Sequence, residues 1–120
     1  LSERGQVMRE VQCEGWWEQV GFGRQPMQQL LLKFEGHQLA GSGVDIIGRS
    51  TLHGTLENAN VAIVKRYIGQ HSVDYIGTYD GEGTMHGMWS IGQFGGEWMI
   101  RIIAESGQAR TREIQEWVPR

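Results

Sequence analysis

The sequence predicts an all-β protein, an eight-stranded antiparallel up-and-down (meander) barrel with a short C-terminal tail. Glycine accounts for 18 of the 120 residues, and these glycines separate apolar and aromatic runs at short intervals. The runs favour β-structure, recur at roughly the 8–12-residue spacing of short strands, and contain almost no proline, which indicates a continuous meander. A meander of this length must protect its edge strands, and closure into a barrel does so.

The chain is long enough for one domain with a single core. We expect the barrel to span residues 14–104. Residues 1–13 are expected to form an N-terminal extension or a leading strand, because one set of alternate positions differs from the other: Val7, Arg9, Val11 and Cys13 against Met8, Glu10 and Gln12. In the tail, 105–120, Ile114, Trp117 and Val118 have the spacing of one face of a helical turn, and a strap across the barrel is the alternative.

Four strands are predicted in the first half of the barrel. The segment 21–26 is expected to be a turn because it combines glycines with Pro26. In the second strand, Leu30, Leu32 and Phe34 share one face, although the Met, Gln and Leu content makes a helix the competing interpretation. A bend between Gly43 and Gly48 precedes the fourth strand. The predicted strands are 14–20, 27–35, 38–43 and 50–56.

Four more strands are predicted in the second half. A turn is expected at 57–60 from its two asparagines. Asp80-Gly81 is the best hairpin signal, since this dipeptide supplies the positive φ of a type I′ turn. The predicted strands are 60–68, 72–79, 84–91 and 96–104.

The charge and the cysteine content restrict which binding partners and which cellular location we expect. The formal net charge is −3, and no cluster of lysine and arginine exceeds the pair Lys65-Arg66. Neither nucleic acid nor a membrane is therefore expected as a partner. Cys13, as the single cysteine, cannot form an intrachain disulfide, which favours a reducing, cytoplasmic location.

Residue parity predicts what faces the lumen. On the fifth strand, Val61, Ile63, Lys65 and Tyr67 share a face, so a lumen built from such faces would be aromatic with one cation. This composition suits a ligand with an apolar body and one polar or anionic end. The walls would be Trp17, Tyr67, Tyr75, Trp89 and Trp98, with Lys65 or Arg49 as the polar anchor. The alternative is a barrel filled by its own aromatic side chains, with Lys65 on the outer face.

Gly15-Trp16-Trp17 places a Gly-x-Trp motif on the first strand, and Arg101 lies on the last strand. With the eight-stranded meander, these residues resemble the calycin families: lipocalins, fatty-acid-binding proteins and avidins. The resemblance implies that Trp17 plugs one end of the barrel and that Arg101 stacks against it. It also implies binding of small apolar or amphipathic molecules in the lumen. The chain lacks the lipocalin disulfides, the helical lid of fatty-acid-binding proteins and the polar set of avidins.

The sequence offers little for catalysis or metal binding. The four histidines form no His-x-His or His-Glu-x-x-His arrangement, and Cys13 has no flanking base. Asp45 is the one carboxylate in a specified position, and a hydrogen bond to turn amides explains it better than general-base chemistry. No catalytic residue, metal or cofactor is predicted. The leading hypothesis is non-catalytic binding of a small molecule, and the alternative is a structural or protein-interaction module with a filled barrel.

Overall fold

The computed structural model describes residues 8–105 and shows a closed antiparallel barrel of eight strands, in which each strand pairs with its neighbours in sequence and the last strand pairs with the first. The predicted all-β meander barrel is thereby confirmed. The expected tail lies outside the described residues apart from Glu105, which ends β8. No helix that could cross a bilayer is found in the described part of the chain. The strands are β1 Arg9–Gln19, β2 Gly23–Glu35, β3 Gln38–Val44, β4 Arg49–Glu57, β5 Asn60–Tyr67, β6 Ser72–Tyr79, β7 Thr84–Ile91 and β8 Phe94–Glu105.

The main differences from the predicted boundaries lie in β1 and β2. β1 begins at Arg9, because residues 9–13 pair with β2 and continue the strand expected to start at residue 14. Pro26 lies inside β2, opposite Trp16, rather than in a turn. A register shift between Gln28 and Leu31, with Gln29 at φ 51°, marks a bulge that restores the inward direction of Leu30 and Leu32. Pairing thus extends through positions that local turn signals marked as loop.

Alternation along β5 confirms that Val61, Ile63, Lys65 and Tyr67 face the lumen, since these four residues are buried and the residues between them are exposed. Deeper in the barrel, Trp98 fills the lumen. Its indole lies against Gly77, where an added Cβ would collide with the His86 carbonyl oxygen and would lie 2.8 Å from the Trp98 ring. The Trp98 Nε1 donates a hydrogen bond to the Ile76 carbonyl at 3.2 Å. Glycine on β6 therefore makes room for tryptophan on β8.

The hairpin connection predicted at residues 80–83 is confirmed in its bounds, but its geometry is not that of a type I′ turn. Gly81 has the expected positive φ of 82°, yet the loop continues to Gly83 and Asp80 is not in the left-handed region. The Asp80 carboxylate instead accepts hydrogen bonds from the amides of Glu82 and Thr84. These bonds lower the pKa of Asp80. A loop capped by the Asp80 carboxylate thus replaces the predicted type I′ geometry.

A two-residue turn of the type I′ kind lies instead between β4 and β5, where Glu57 pairs with Asn60. Asn58 and Ala59 occupy it at φ 52° and 69°. Alanine in this region is strained by contact of its Cβ with the backbone. We expect Ala59→Gly to stabilise the protein by about 0.5–1 kcal/mol, since relief of strain exceeds the added chain entropy. Urea unfolding measures this change, and Ala62→Gly, within β5, is the control expected to destabilise.

Candidate functional site

One end of the barrel opens into a cavity of about 180 Å³, called here the pocket. It lies at the end that carries the β1–β2, β3–β4, β5–β6 and β7–β8 connections, because alternate connections of an up-and-down barrel share an end. Aromatic residues from five strands line it: Trp17, Tyr67, Tyr75, Trp89 and Phe94. Trp17 and Trp89 meet edge to face, with ring centroids 5.9 Å apart.

Beside this wall, the lumen contains a buried ion pair. The Lys65 Nζ lies 2.6 Å from the Asp45 Oδ2, and each side chain is 1% exposed. Lys65 is inward because it shares the parity of the apolar residues of β5. Asp45 comes from the β3–β4 connection, where its amide donates to the Gly48 carbonyl at 3.1 Å. The other carboxylate oxygen, Oδ1, accepts the amide of Ile47 at 2.9 Å, which confirms the predicted hydrogen bond to a turn amide.

Asp45 is the centre of a larger polar network. In addition to Lys65, its Oδ2 accepts hydrogen bonds from the Tyr67 hydroxyl at 2.7 Å and the Trp17 Nε1 at 3.2 Å. Lys65 also donates to the Tyr75 hydroxyl at 3.3 Å. Within the described residues, no buried side-chain nitrogen or oxygen is without a partner. A fully satisfied network of this kind fixes the orientation of three aromatic side chains of the wall.

Burial and charge shift the pKa values of Asp45 and Lys65 in opposite directions. Burial alone would raise the pKa of Asp45, but the hydrogen bond and charge of Lys65, with the Tyr67 and Ile47 bonds, hold it below its usual value. Burial lowers the pKa of Lys65, and Asp45 opposes that shift. Burial also raises the pKa of Tyr67 and Tyr75, and the Asp45 charge raises both further. The carboxylate is therefore ionised and both phenols are protonated at neutral pH.

Four of the seven residues predicted to bind a ligand line the pocket, and a fifth lies beside them. The four are Trp17, Tyr67, Tyr75 and Trp89. Lys65, the fifth, hydrogen-bonds Tyr75 and the same carboxylate that Tyr67 and Trp17 contact. The inward parity of their strands brings these residues together.

The structure places the other two predicted residues elsewhere. Trp98 is buried but lies below the pocket, where it packs against Tyr75 with ring centroids 5.2 Å apart. Arg49 is exposed, because its strand neighbour Ser50 faces inward and successive side chains point to opposite faces. Arg49 is therefore not a polar anchor in the lumen.

The implied contact between Trp17 and Arg101 is also absent from the described residues. Trp17 is buried near the mouth of the pocket and stacks on Phe22, as a plug would. Arg101 is exposed and forms an ion pair with Glu14 on the outer face. Arginine stacking occurs instead on Trp16, where the Arg24 guanidinium lies 3.7 Å from the ring centroid. The last-strand arginine thus offers no support for the calycin resemblance.

Asp45 is the functional residue that residue parity missed. It lies in a connection, where alternation predicts no direction, and a hydrogen bond to turn amides is a sufficient reason for an aspartate there. The sequence did contain a signal for it. A lysine predicted to face the lumen, as Lys65 is, needs a buried anion beside it. Asp45 lies between Gly43 and Gly48 in a connection that reaches the lumen, so the sequence could have predicted it as that anion.

The cysteine thiol and the possible metal ligands among the described residues form no second site. Burial, opposed by Arg9, raises the pKa of Cys13 to about 12, so its thiol is protonated. No group of three His, Cys, Asp or Glu side chains suited to a metal ion occurs within residues 8–105.

Comparison of the chain with protein-family models, with curated proteins and with solved structures finds no match. The geometry of the pocket and of its ion pair therefore carries the functional argument.

Proposed function

We propose that the barrel binds a small, neutral, largely apolar molecule in the pocket without transforming it. The observation that carries this proposal is an aromatic pocket beside an ion pair that is already neutralised within the chain. The aromatic wall favours an apolar body, and the phenol hydroxyls of Tyr67 and Tyr75 offer hydrogen bonding to a single polar group.

Cavity size restricts the ligand. A volume of about 180 Å³ is below the roughly 300–1,000 Å³ of pockets for drug-sized molecules. It is close to the roughly 150 Å³ of an engineered apolar cavity that binds benzene. The proposed ligand is therefore a single ring or a short branched chain, and long acyl chains are excluded unless the pocket deepens.

Charge restricts the ligand further. The sequence favoured an anionic group as the partner of Lys65, but Asp45 occupies that position at 2.6 Å. An anionic ligand would have to approach the Asp45 carboxylate or displace it. A cationic ligand would meet Lys65, whose Nζ already lies 4.8 and 5.5 Å from the ring centroids of Tyr67 and Tyr75. Neutral ligands avoid both costs.

Benzyl alcohol, benzoate and benzylammonium test this preference, because they share a ring and differ in charge. We expect benzyl alcohol to bind saturably, with each charged analogue at least about tenfold weaker. Quenching of tryptophan fluorescence, supported by isothermal titration calorimetry, measures the three affinities. Equal or tighter binding of benzoate would show that Lys65 remains available to ligands and would overturn the neutral preference.

A filling variant tests the location of binding. Val73 is buried and lines the pocket, whereas Val64 is exposed on the outer face of the adjacent strand. We expect Val73→Phe to reduce benzyl alcohol affinity by at least about tenfold and Val64→Phe to leave it unchanged. Absence of saturable binding to the wild-type protein by all three probes would favour the filled-barrel interaction module.

A further inference from the structure

The mouth of the pocket is surrounded by exposed apolar side chains. We define the apolar rim as Val20, Phe22, Ile46, Ile68 and Phe94, which come from or adjoin the four connections at this end. Their exposure is far above that of core residues, for example 97% for Val20, 66% for Ile46 and 60% for Ile68. Each connection contains or directly adjoins at least one of them. Apolar side chains gathered at one end and rimmed by polar groups are typical of a protein or membrane contact.

The opposite end of the barrel has the contrary composition. Its three connections join β2 to β3, β4 to β5 and β6 to β7. No large apolar side chain lies in these connections, at residues 36–37, 58–59 and 80–83, and exposed carboxylates lie in or directly beside each of them: Glu35, Glu57, Asp80 and Glu82. The connections at one end of the barrel are therefore apolar and those at the other end acidic, although the two kinds alternate along the sequence. We call these the apolar end and the acidic end.

We propose that the apolar rim docks the barrel, mouth first, onto the interface of a lipid bilayer. The four connections at this end contain one carboxylate, Asp45, and its side chain is buried in the ion pair. The remaining polar groups there are mostly uncharged, including Gln70 and Gln93. Apolar side chains can therefore enter the headgroup region without carrying an exposed acid with them.

Arginine placement supports a lipid occupant. Arg49 directly follows the β3–β4 connection, and its carbonyl accepts the amide of Ile68 at 3.0 Å. Arg66 lies two residues before Ile68 on the outer face of β5. Neither arginine forms an ion pair within residues 8–105. At about 3.3 Å per residue, both lie within roughly 7 Å of the rim, the level of lipid phosphates when the rim reaches the acyl boundary.

Nearby carboxylates do not neutralise the positive charges of Arg49 and Arg66. Glu18 pairs with Arg24 at 3.1 Å. Asp74 and Glu97 lie further from the mouth, opposite Val64 and Met88 respectively in the strand pairing. The expectation of no membrane partner rested on net charge, and net charge does not report this separation of apolar and acidic ends.

A second copy of the chain fits this end less well than lipid. Two barrels meeting rim to rim around a two-fold axis would bring the uncompensated arginines of both copies to one interface. Their rigid mouths would also face each other and leave the pockets as unfilled space. Mobile lipid headgroups adapt to a ring with an open centre. The acidic end, where β1 begins and β8 ends, then points away from the bilayer.

Vesicle flotation of the full chain tests the proposal. The rim variant is Val20→Ser/Ile46→Ser/Ile68→Ser, which avoids the residues lining the pocket. Its matched control is Val64→Ser/Ile76→Ser/Met88→Ser, three exposed apolar residues on the barrel wall. With phosphatidylcholine vesicles, we expect the wild-type protein and the wall variant to float and the rim variant to lose at least about tenfold in partitioning. Thermal unfolding of all three proteins verifies that they are folded.

Anionic vesicles test the role of arginine. Adding about 30% phosphatidylserine should increase wild-type partitioning, and Arg49→Gln/Arg66→Gln should remove that increase. Lys33→Gln, an exposed charge on β2 near the acidic end, should retain it. These measurements do not depend on the pocket ligand. The proposal of lipid docking and the proposal of ligand binding can therefore be refuted independently.

Results of two kinds, from flotation and from sedimentation, would overturn lipid docking. One is the absence of flotation, or equal loss of it in the rim and wall variants. The other is a dimer in sedimentation velocity that the rim substitutions dissociate, which would make a second copy the occupant of the rim.

Discussion

Replacing Asp45 with asparagine is expected to destabilise the protein by about 3–5 kcal/mol, because it leaves the Lys65 ammonium buried without a counter-charge. Lys65→Met should cost less, since the remaining carboxylate keeps hydrogen bonds from Trp17, Tyr67 and the Ile47 amide. The double variant Asp45→Asn/Lys65→Met should be more stable than Asp45→Asn alone, because no uncompensated charge remains. Equilibrium unfolding in urea measures all three free energies.

The pH dependence of stability separates this charge effect from a loss of shape. The folded pKa of Asp45 is below its unfolded value of about 3.9, so its contribution is complete above that value and is lost as pH falls through the folded pKa. The wild-type protein should therefore lose stability in acid through this group. Asp45→Asn should lack that component. Identical acid profiles, or a cost below about 1 kcal/mol for Asp45→Asn, would contradict the buried ion pair.

Replacing Trp17 with alanine is the second large effect, with an expected cost of about 3–5 kcal/mol. Trp17 is 5% exposed, packs on Trp89 and Phe22, and donates a hydrogen bond to Asp45. Trp16, its sequence neighbour, is half-buried on the outer face beneath Arg24, and Trp16→Ala should cost about 1–2 kcal/mol.

A further variant separates the packing of Trp17 from its hydrogen bond. Trp17→Phe keeps an aromatic ring but removes the donor, so its cost should fall between those of Trp16→Ala and Trp17→Ala. Urea unfolding compares the three variants. Equal costs for Trp16→Ala and Trp17→Ala would contradict the inward position of Trp17 in the barrel.

The polar network also links stability to the proposed binding site. Asp45, Lys65, Tyr67 and Trp17 hold one another by hydrogen bonds, and two of the four line the pocket. A site built on a satisfied buried network keeps its shape in the absence of ligand, which reduces the ordering cost of binding. Variants of the ion pair should therefore weaken ligand binding and stability together, whereas Val73→Phe should affect binding far more than stability.

Residue patterns along the chain are enough to predict the strand count, the barrel and the inward faces. Alternation along Val61–Tyr67 assigned Lys65 to the side of the apolar residues, since side chains of a strand alternate with a period of two. The same rule placed Trp17, Tyr75 and Trp89 in the lumen. Local turn chemistry was less decisive, because the type I′ geometry belongs to Asn58-Ala59 while Asp80 caps a longer loop.

What these residues do together depends on how the strands are arranged in space. Asp45 and Lys65 are 20 positions apart, and no sequence period relates a connection to a strand, so their ion pair depends on barrel closure. Barrel closure also leaves a pocket at one end and a lumen filled around Trp98 below it. Arg49 lies on the outer face and reaches neither of them. Apolar and acidic connections alternate along the chain, and the up-and-down topology gathers each kind at its own end. Such groupings depend on which distant segments meet, and strand periodicity carries no information about that.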